Sequence, residues 1–285
     1  ELPLVYDCHE NYPGLVKGAI SSRGANILHK IEAYLLKYCT GIMAAGPAGY
    51  IRLNDMLNIG PSAPFNANDE EAFKVLSKPQ SEFLNSRITR VGNAKRLDAY
   101  PLSRIEKKER KNKFRILYIG VLEKHPSRGI LETAITVNKM KDVQFDIGGF
   151  GTLVPTIKKV CEKMNNVNYI GSIHPDNVPL QTIESDAVLM ALDPKNDNNR
   201  MSAPNKLFEA MSAGVPIITC KELLMGQFVE NEEIGLTFEW GKWDRLKAAI
   251  MKLVYDKELQ ARMGKRGRKL AEKTHNWEKC EERIE

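Results

Sequence analysis

Long apolar runs are missing from this chain of 285 residues. None approaches the eighteen or so apolar residues of a membrane-spanning helix, so no such helix is predicted. A basic leader with an apolar stretch behind it is also missing, which argues against a secretory signal peptide. The chain has no initiator Met and opens with Glu1-Leu2-Pro3-Leu4-Val5-Tyr6, a pattern typical of a strand interior. We therefore expect a fragment or a trimmed chain.

Cysteine is sparse and shows no motif. The chain has five cysteines, an odd number, and no C-x-x-C pair. This spacing argues against a zinc site and against a disulfide framework, and a reducing cytoplasm fits it best. The positions are Cys8, Cys39, Cys161, Cys220 and Cys280.

Charge of one sign dominates only locally. The formal net charge is +6, but basic residues crowd Lys107–Lys113 and Arg262–Lys269. Solvated linker and helix faces are the usual explanation. Attraction to anionic lipid headgroups or acidic glycans is the alternative, which would place a cytoplasmic protein at the inner membrane face. No aromatic residues are interleaved with the basic ones, so we expect no nucleic-acid partner.

Length and composition predict a soluble α/β protein of two domains, since 285 residues with 42% hydrophobic content can bury two cores. In the second half, strand-like and helix-like segments alternate at a spacing that implies parallel βαβ units in one doubly wound sheet. Such a sheet binds ligands at the carboxyl ends of its strands. The predicted strands are 114–119, 143–147, 167–170, 187–192, 215–219 and 236–238, and the predicted helices are 129–139, 153–164, 178–185, 204–214 and 221–230, with two basic helices from 243 onward.

Residues 202–219 are the most informative segment. Pro204 suits a first helical turn, Gly214 suits the position just past the helix end, and the β-branched run after it predicts a buried strand. Lys206 and Glu209 share one helix face near the helix start, where free N–H groups favour an anion. A phosphate and a ribose diol would suit that pair. The alternative is an ordinary capped helix with a solvated ion pair.

The run Glu209–Pro216 resembles the donor-site motif E-A-M-x-x-G-x-P of the retaining glycosyltransferases of family 4, which have two Rossmann-like domains in the GT-B fold. The resemblance implies that Glu209 hydrogen-bonds ribose hydroxyls of a nucleotide sugar, with Asn205 as a further substrate-binding residue. The family's pattern has another Glu eight positions before Glu209, which contacts the transferred sugar. This chain has Met201 there.

Residues 120–129 resemble the family's G-R-L-x-x-x-K-G loop, whose Arg and Lys grip the diphosphate. Gly120 opens the loop, Val121 replaces the Arg, and Arg128 falls on the Lys-Gly position, where it could grip phosphate bidentately. Lys124 is a candidate replacement for the missing charge. The alternative for Arg128 is a residue at a helix start that points to solvent.

Two further turns follow predicted strands. Gly148, Gly149 and Gly151 match the family's G-x-G turn, where backbone amides can approach a ligand closely, although a structural turn is the commoner cause. Ser172 falls in the family segment that borders the nucleotide base. The nearby His174 is expected to cap a turn or face solvent.

The first hundred residues resemble the later part of the family's acceptor-side domain, without the βα units that should precede it. Residues 4–13 resemble the segment in which a strand ends at a His near the sugar and phosphate, which is His9 here, with Asp7 and Glu10 close by. A structural hydrogen-bonding role is the alternative for His9.

The rest of that domain is matched more loosely. The spacing of Ile27, Leu28, Ile31, Leu35 and Tyr38 predicts a helix over 25–39, followed by a short strand at 42–45. Glu32 lies mid-helix, where relatives often carry Glu and where an exposed charge is equally expected. Either Asn66 or Asn93 marks the approach to the linker; we prefer Asn93, which makes 60–87 a local elaboration.

The resulting domain prediction has four parts. Residues 1–105 form a partial acceptor-side domain, 106–113 a linker, 114–270 the nucleotide-sugar domain, and 271–285 a terminal helix around Trp277 that resembles the family's helix crossing back to the first domain.

The resemblance implies transfer of a sugar from a nucleoside-diphosphate sugar, such as a UDP- or GDP-sugar, to a hydroxyl of a glycan, polysaccharide or lipid-linked saccharide, with retention. His9, Arg128 and Lys206 would be the catalytic residues. No D-x-D motif ends a predicted strand, so we expect neither metal nor cofactor. The rivals are a GT-B nucleotide-sugar epimerase and a non-catalytic binding or scaffold protein, which Met201 and Val121 favour.

Overall fold

The computed structural model describes residues 4–8, 21–44, 47–59, 88–90, 93–106, 113–124 and 127–284. Two residues predicted to lie near the cleft, His9 and Glu10, are outside the described residues, as are 60–87 and most of the basic run Lys107–Lys113.

An N-terminal sheet contains three parallel strands in the order β1-β2-β3. The predicted helix over 25–39 and the strand after it are confirmed, with slightly shifted ends. The elements are β1 (Val5–Cys8), α1 (Ser22–Leu35), β2 (Gly41–Ala44), α2 (Pro47–Ile59), β3 (Ile88–Arg90) and α3 (Leu102–Glu106).

Helix α1 turns most of its apolar stripe away from the core. Its buried residues are Ala25, His29 and Ala33. The exposed fraction of Ile31 is 49%, and that of Tyr38, just after the helix, is 62%. Together with Leu4, Val5, Ile27, Tyr34 and Leu35, these side chains make an exposed apolar surface beside β1, with a groove of about 410 Å³.

Glu32 on α1 is the acceptor of a buried ion pair, so the expectation of an exposed helix charge was wrong. Arg52 of α2 is 1% exposed and donates to both Glu32 carboxylate oxygens, at 2.5 and 2.8 Å. The Tyr6 hydroxyl donates to the same carboxylate at 2.8 Å. A buried guanidinium is stable only when it is paired in this way. The pair ties α1, α2 and β1 together.

The second sheet has six parallel strands in the order β6-β5-β4-β7-β8-β9. This confirms the predicted doubly wound sheet. The order reverses between β4 and β7, and the carboxyl ends on either side of such a reversal border a crevice. The strands are β4 (Phe114–Val121), β5 (Val143–Phe150), β6 (Val167–Tyr169), β7 (Ala187–Met190), β8 (Ile217–Cys220) and β9 (Gly235–Phe238).

Helices connect these strands and cover the sheet, whose central strands are buried almost throughout. Their placement follows the predicted alternation, with one short helix, α7, that the sequence did not indicate. The helices are α4 (Ile130–Val137), α5 (Val154–Cys161), α6 (Val178–Ile183), α7 (Asp197–Met201), α8 (Asn205–Ala213), α9 (Leu224–Asn231), α10 (Trp243–Tyr255), α11 (Lys257–Thr274) and α12 (Trp277–Ile284).

The last helix, α12, contacts the segment that precedes α3. The Trp277 N–H donates to the Lys95 carbonyl at 3.1 Å, and the Leu97 N–H donates to Glu278 at 3.1 Å. An ion pair at 3.0 Å joins Arg96 to Glu281. These contacts join the last helix to residues 95–97. The domain boundaries at 105, 113 and 270 stay a prediction.

Strands β4 and β5 approach each other closely at two paired glycines, Gly120 and Gly149. Gly149 has a φ of +137°, and a Cβ atom there would lie 1.8 Å from the Gly120 carbonyl oxygen. Gly171 offers a contrast, because its φ is +85° but no atom lies within 4 Å of the position a Cβ would take. Backbone crowding therefore demands glycine at 149, whereas backbone conformation alone favours it at 171.

Gly149→Ala is expected to lower the free energy of unfolding by about 3 kcal/mol or more, because conformational strain and overlap with the Gly120 carbonyl add. Gly171→Ala is the matched control and should cost only about 1 kcal/mol of conformational strain. Urea denaturation of the three proteins, followed by circular dichroism, measures both values. Equal losses for the two variants would contradict the close approach of β4 and β5.

Candidate functional site

The loop after β4 and the start of α8 border the crevice at the reversal of strand order. Helix α8 begins at Asn205, later than predicted, because Pro204 is the extended N-cap residue with φ −70° and ψ 155° rather than part of the first turn. Gly214 ends the helix with φ +64°, as the sequence predicted. One face of α8, including Leu207, Phe208, Ala210 and Met211, is buried in the core.

Lys206 and Glu209 lie on the crevice side of α8 and are both partly buried. This excludes the alternative of a fully solvated ion pair. The Lys206 Nζ atom lies 4.6 Å from the centre of the Tyr118 ring, and a Cβ atom on Gly120 would come within 2.7 Å of it. Glycine at 120 therefore leaves the space that the ammonium group fills, above an aromatic face that attracts cations.

Burial lowers the pKa of Lys206 to about 8, an effect that Glu209 opposes and Arg128 reinforces. The cause is the cost of placing an ammonium group away from water, with a second cation close by. An anion in the crevice would offset both the cost of burying the ammonium group and its repulsion by Arg128.

Arg128 stands at the end of the β4 loop, immediately before α4. Its Nε atom is buried and has no hydrogen-bond partner among the described residues, which rules out a side chain that simply points to solvent. Arg128 also lies close to Tyr118. Burial raises the pKa of the Tyr118 hydroxyl to about 12, and the charge of Arg128 opposes that rise. A buried N–H group without an acceptor is costly, so an absent acceptor is the natural explanation.

Gly129 sets the direction of Arg128. Its backbone is left-handed, with φ +59°, and a Cβ atom there would lie 2.8 Å from the Ala191 Cβ and 3.2 Å from Trp243. The chain must therefore turn tightly against β7 and α10 at this point. The turn holds the preceding Arg128 against the crevice, close enough to Lys206 to affect its pKa.

Glu209 has a partner that the sequence analysis missed. The Lys95 Nζ atom lies 3.2 Å from Glu209 Oε1 and donates to Asn205 Oδ1 at 2.8 Å. Two residues earlier, Asn93 donates to the Ala203 carbonyl at 3.0 Å. Asn93, the residue that we preferred as the marker of the linker, therefore contacts the segment immediately before α8. The only feature of the sequence that pointed to Lys95 was its position two residues after Asn93.

The glycines of the β5 turn shape the loop rather than offer a full set of free amides. The Gly149 N–H donates to the Gly171 carbonyl at 2.8 Å, so it is already paired. Gly151, with φ +142°, packs against the Leu122 carbonyl, and Gly148 packs near Ile173. Ser172 is exposed beside Gly171. The commoner, structural cause of a glycine turn thus applies to Gly149 and Gly151.

Three further residues that the sequence analysis singled out, Met201, Lys124 and His174, differ in their exposure and contacts. Met201, in place of the family's first Glu, is buried at 8% exposure. Lys124 is exposed, and none of the contacts among the described residues joins it to Lys206 or Arg128. His174 accepts a hydrogen bond from the Asp176 N–H at 3.4 Å and so caps a short turn, as expected.

The described residues contain neither a metal-binding cluster nor a membrane-spanning helix. No group of three or more His, Cys, Asp or Glu side chains among them is placed to hold a metal ion. None of the helices in that part of the chain is long and apolar enough to span a membrane.

Solved structures resemble the whole of the described fold. HepE of Anabaena, in complex with UDP, aligns with 99% of this chain and 71% of its own, with a TM-score of 0.67 and 16% identity. Sucrose-phosphate synthase of Thermosynechococcus elongatus aligns with 98% of this chain and 65% of its own, also with a TM-score of 0.67 and 16% identity. At this identity the likeness concerns the fold, which is GT-B.

Sequence comparison gives a curated relative and a family. A GDP-mannose-dependent alpha-(1-6)-phosphatidylinositol monomannoside mannosyltransferase of Mycobacterium tuberculosis is 24% identical over 136 residues, which are 46% of this chain and 35% of the relative. The match thus spans about a third of the relative's length. The profile of the family Glycosyl transferases group 1 matches residues 101–270, more than half of the chain. The chain therefore belongs to the family Glycosyl transferases group 1.

Proposed function

We propose that this chain binds a nucleoside-diphosphate sugar in the crevice and that the protein transfers the sugar to an acceptor hydroxyl, with retention at the anomeric carbon. The observation that carries the proposal is the partly buried pair Arg128 and Lys206, with an unpartnered Nε atom and a lowered ammonium pKa. Both features are relieved by a bound diphosphate. The complex of HepE with UDP and the GDP-mannose dependence in the name of the mycobacterial relative agree with this class of donor.

The proposed roles rest on the positions of the described residues and, for His9 and Ser172, on the family resemblance. Arg128 and Lys206 stabilise the diphosphate as the bond between the anomeric carbon and its phosphate oxygen breaks. The acceptor oxygen bonds to that carbon, and its proton passes to the departing phosphate. Glu209 and Asn205 hold the ribose. Gly120, Gly148, Gly149 and Gly151 shape the loops around the phosphates, Ser172 borders the base, and His9 orients the sugar from the first domain.

The acceptor is proposed to be a glycan, a polysaccharide or a lipid-linked saccharide, and no metal or cofactor is proposed. The curated relative is named for a phosphatidylinositol monomannoside acceptor, which supports the lipid-linked class. A cytoplasmic site at an anionic membrane surface would suit the exposed Arg262, Lys265 and Lys269 of α11.

A second candidate is a nucleotide-sugar-binding protein without transfer activity. The burial of Met201 supports it, because this position offers no carboxylate to the transferred sugar. Sugar transfer to a saccharide acceptor, followed by mass spectrometry, separates the two candidates. Donor binding without transfer would favour the second.

The first experiment is calorimetric titration of the chain with UDP, GDP, ADP and their common sugar conjugates, without added metal. Glu209→Gln should weaken binding of the preferred series by about 1–3 kcal/mol, since a neutral amide accepts a weaker hydrogen bond from ribose than a carboxylate does. The exposed Glu162 provides the control variant Glu162→Gln. Unchanged affinity in folded Glu209→Gln would remove Glu209 from the site.

Arg128→Ala should weaken the nucleoside diphosphate by about 2–3 kcal/mol and the nucleoside hardly at all, because the lost interaction is with phosphate. The ratio of the two dissociation constants, measured by the same titration, isolates this effect. Arg245→Ala, which removes a side chain that is 73% exposed, is the control. If Arg128→Ala weakened both ligands equally, a phosphate role would be contradicted.

Donor affinity should depend on pH through Lys206. Its pKa of about 8 means that the ammonium form, which binds the diphosphate, is lost as pH rises from 7 to 9, so affinity should fall by about tenfold over that range. Lys206→Arg keeps the charge throughout and should flatten the profile. Tyr118, whose ring lies next to the Lys206 ammonium group, has a pKa of about 12 and stays protonated over this range.

Titrations of both proteins at pH 6.5 to 9 check this prediction, and ionisation of the ligand itself affects the two proteins alike. Parallel profiles for wild type and Lys206→Arg would show that Lys206 is not the titrating group.

A further inference from the structure

Lys95 contacts Glu209 but precedes the segment that forms the six-stranded sheet. Its ammonium group lies 3.2 Å from Glu209 Oε1 and 2.8 Å from Asn205 Oδ1. The exposed fractions of the Lys95 and Glu209 side chains are 25% and 15%. An ion pair this sheltered from water is screened less than a surface pair. It holds two side chains of the same helix face at once.

The backbone around Lys95 is fixed on both sides. The Lys95 carbonyl accepts a hydrogen bond from the Trp277 N–H of α12 at 3.1 Å, and Lys95 forms a parallel bridge with Asn276. Asn93 is bound to the Ala203 carbonyl immediately before α8. Lys95 thus extends from a segment that is tied to the last helix, α12, and to the residue that precedes Pro204 at the start of α8.

The ion pair leaves Glu209 able to bind a diol. A carboxylate has about four acceptor positions, and the contact with Lys95 uses one of them, on Oε1. The Lys95 ammonium group keeps the carboxylate in one orientation instead of letting it rotate among several. A hydrogen bond to an oriented acceptor loses less entropy on binding than one to a mobile acceptor.

Lys95 also completes the charge of the site. Lys95, Lys206 and Arg128 contribute three positive charges and Glu209 one negative charge, which leaves a net charge of plus two. The diphosphate of a nucleotide sugar, esterified at both ends, carries two negative charges near neutral pH. The charge of the proposed donor and that of the site therefore match.

We propose that Lys95 is a positioning residue, which orients the carboxylate of Glu209 and the amide of Asn205 toward the ribose hydroxyls of the donor. This rests on the proposed function, since it assigns the ribose to Glu209. It predicts that Lys95 contributes to affinity only when the ligand has ribose hydroxyls. A purely structural or general electrostatic role would affect all nucleotides alike.

The test compares Lys95→Met with wild type, using the nucleoside diphosphate that wild type prefers and its 2′,3′-dideoxy analogue. Loss of orientation should weaken the ribonucleotide by about tenfold, a typical effect for one charged hydrogen bond, and leave the dideoxy analogue unchanged. Lys95→Arg should recover most of the loss, because it restores a cation to the same place. Arg96→Met, which removes the neighbouring cation paired with Glu281, should leave both affinities unchanged.

The possible outcomes separate the two proposals. Two results with the wild-type protein would overturn the proposed function and this inference with it. One is that it binds no nucleoside diphosphate, and the other is that it binds the ribonucleotide and its dideoxy analogue equally well. Wild type that distinguishes them, while Lys95→Met weakens both ligands equally, overturns the positioning role alone. Tighter ribonucleotide binding by Lys95→Met would also overturn it, by showing that Lys95 competes with the ribose. Thermal unfolding of each variant verifies that it is folded.

Discussion

The proximity of two cations in a partly buried crevice is the constraint on which the rest of the site depends. Lys206 comes from α8 and Arg128 from the loop after β4, and the charge of Arg128 disfavours the charged form of Lys206. Folding must offset this repulsion as well as the lost hydration of both groups. The face of Tyr118 and the carboxylate of Glu209 do so in part. The remaining excess of positive charge is the basis of the proposed preference for an anion.

Glycine at position 120 leaves room for the Lys206 ammonium group. At β4 and β5, Gly149 lies against the Gly120 carbonyl, and the space above Gly120 is filled by the Lys206 ammonium group. The glycines therefore act by leaving room, since the Gly149 amide is already bound to Gly171. A side chain at position 120 would displace the cation. Glycine-rich turns at an anion site can thus serve to position side chains as well as to expose backbone amides.

Features with a local cause could be predicted from the sequence, and features set by distant partners could not. Helix α8 was placed to within one residue because Pro204 and Gly214 mark its ends, and the six strands follow from apolar runs. The outward stripe of α1 was not foreseen, since periodicity identifies a face without saying what covers it. The burial of Arg128 depends on β7 and α10, and Glu32 became a buried acceptor because Arg52 reached it from another helix.

Lys95 shows why a motif does not contain its whole site. Its partner Asn205 is 110 residues away in the chain, and its backbone is held by α12, which follows the segment that defines the family. The matched residues 101–270 include Arg128, Lys206 and Glu209 but neither Lys95 nor Trp277. In the proposed site, the family segment thus supplies the charges of Arg128 and Lys206. The contacts that we propose to orient Glu209 and Asn205 come from Lys95, which lies before that segment, and members of one family can differ there without altering the motif.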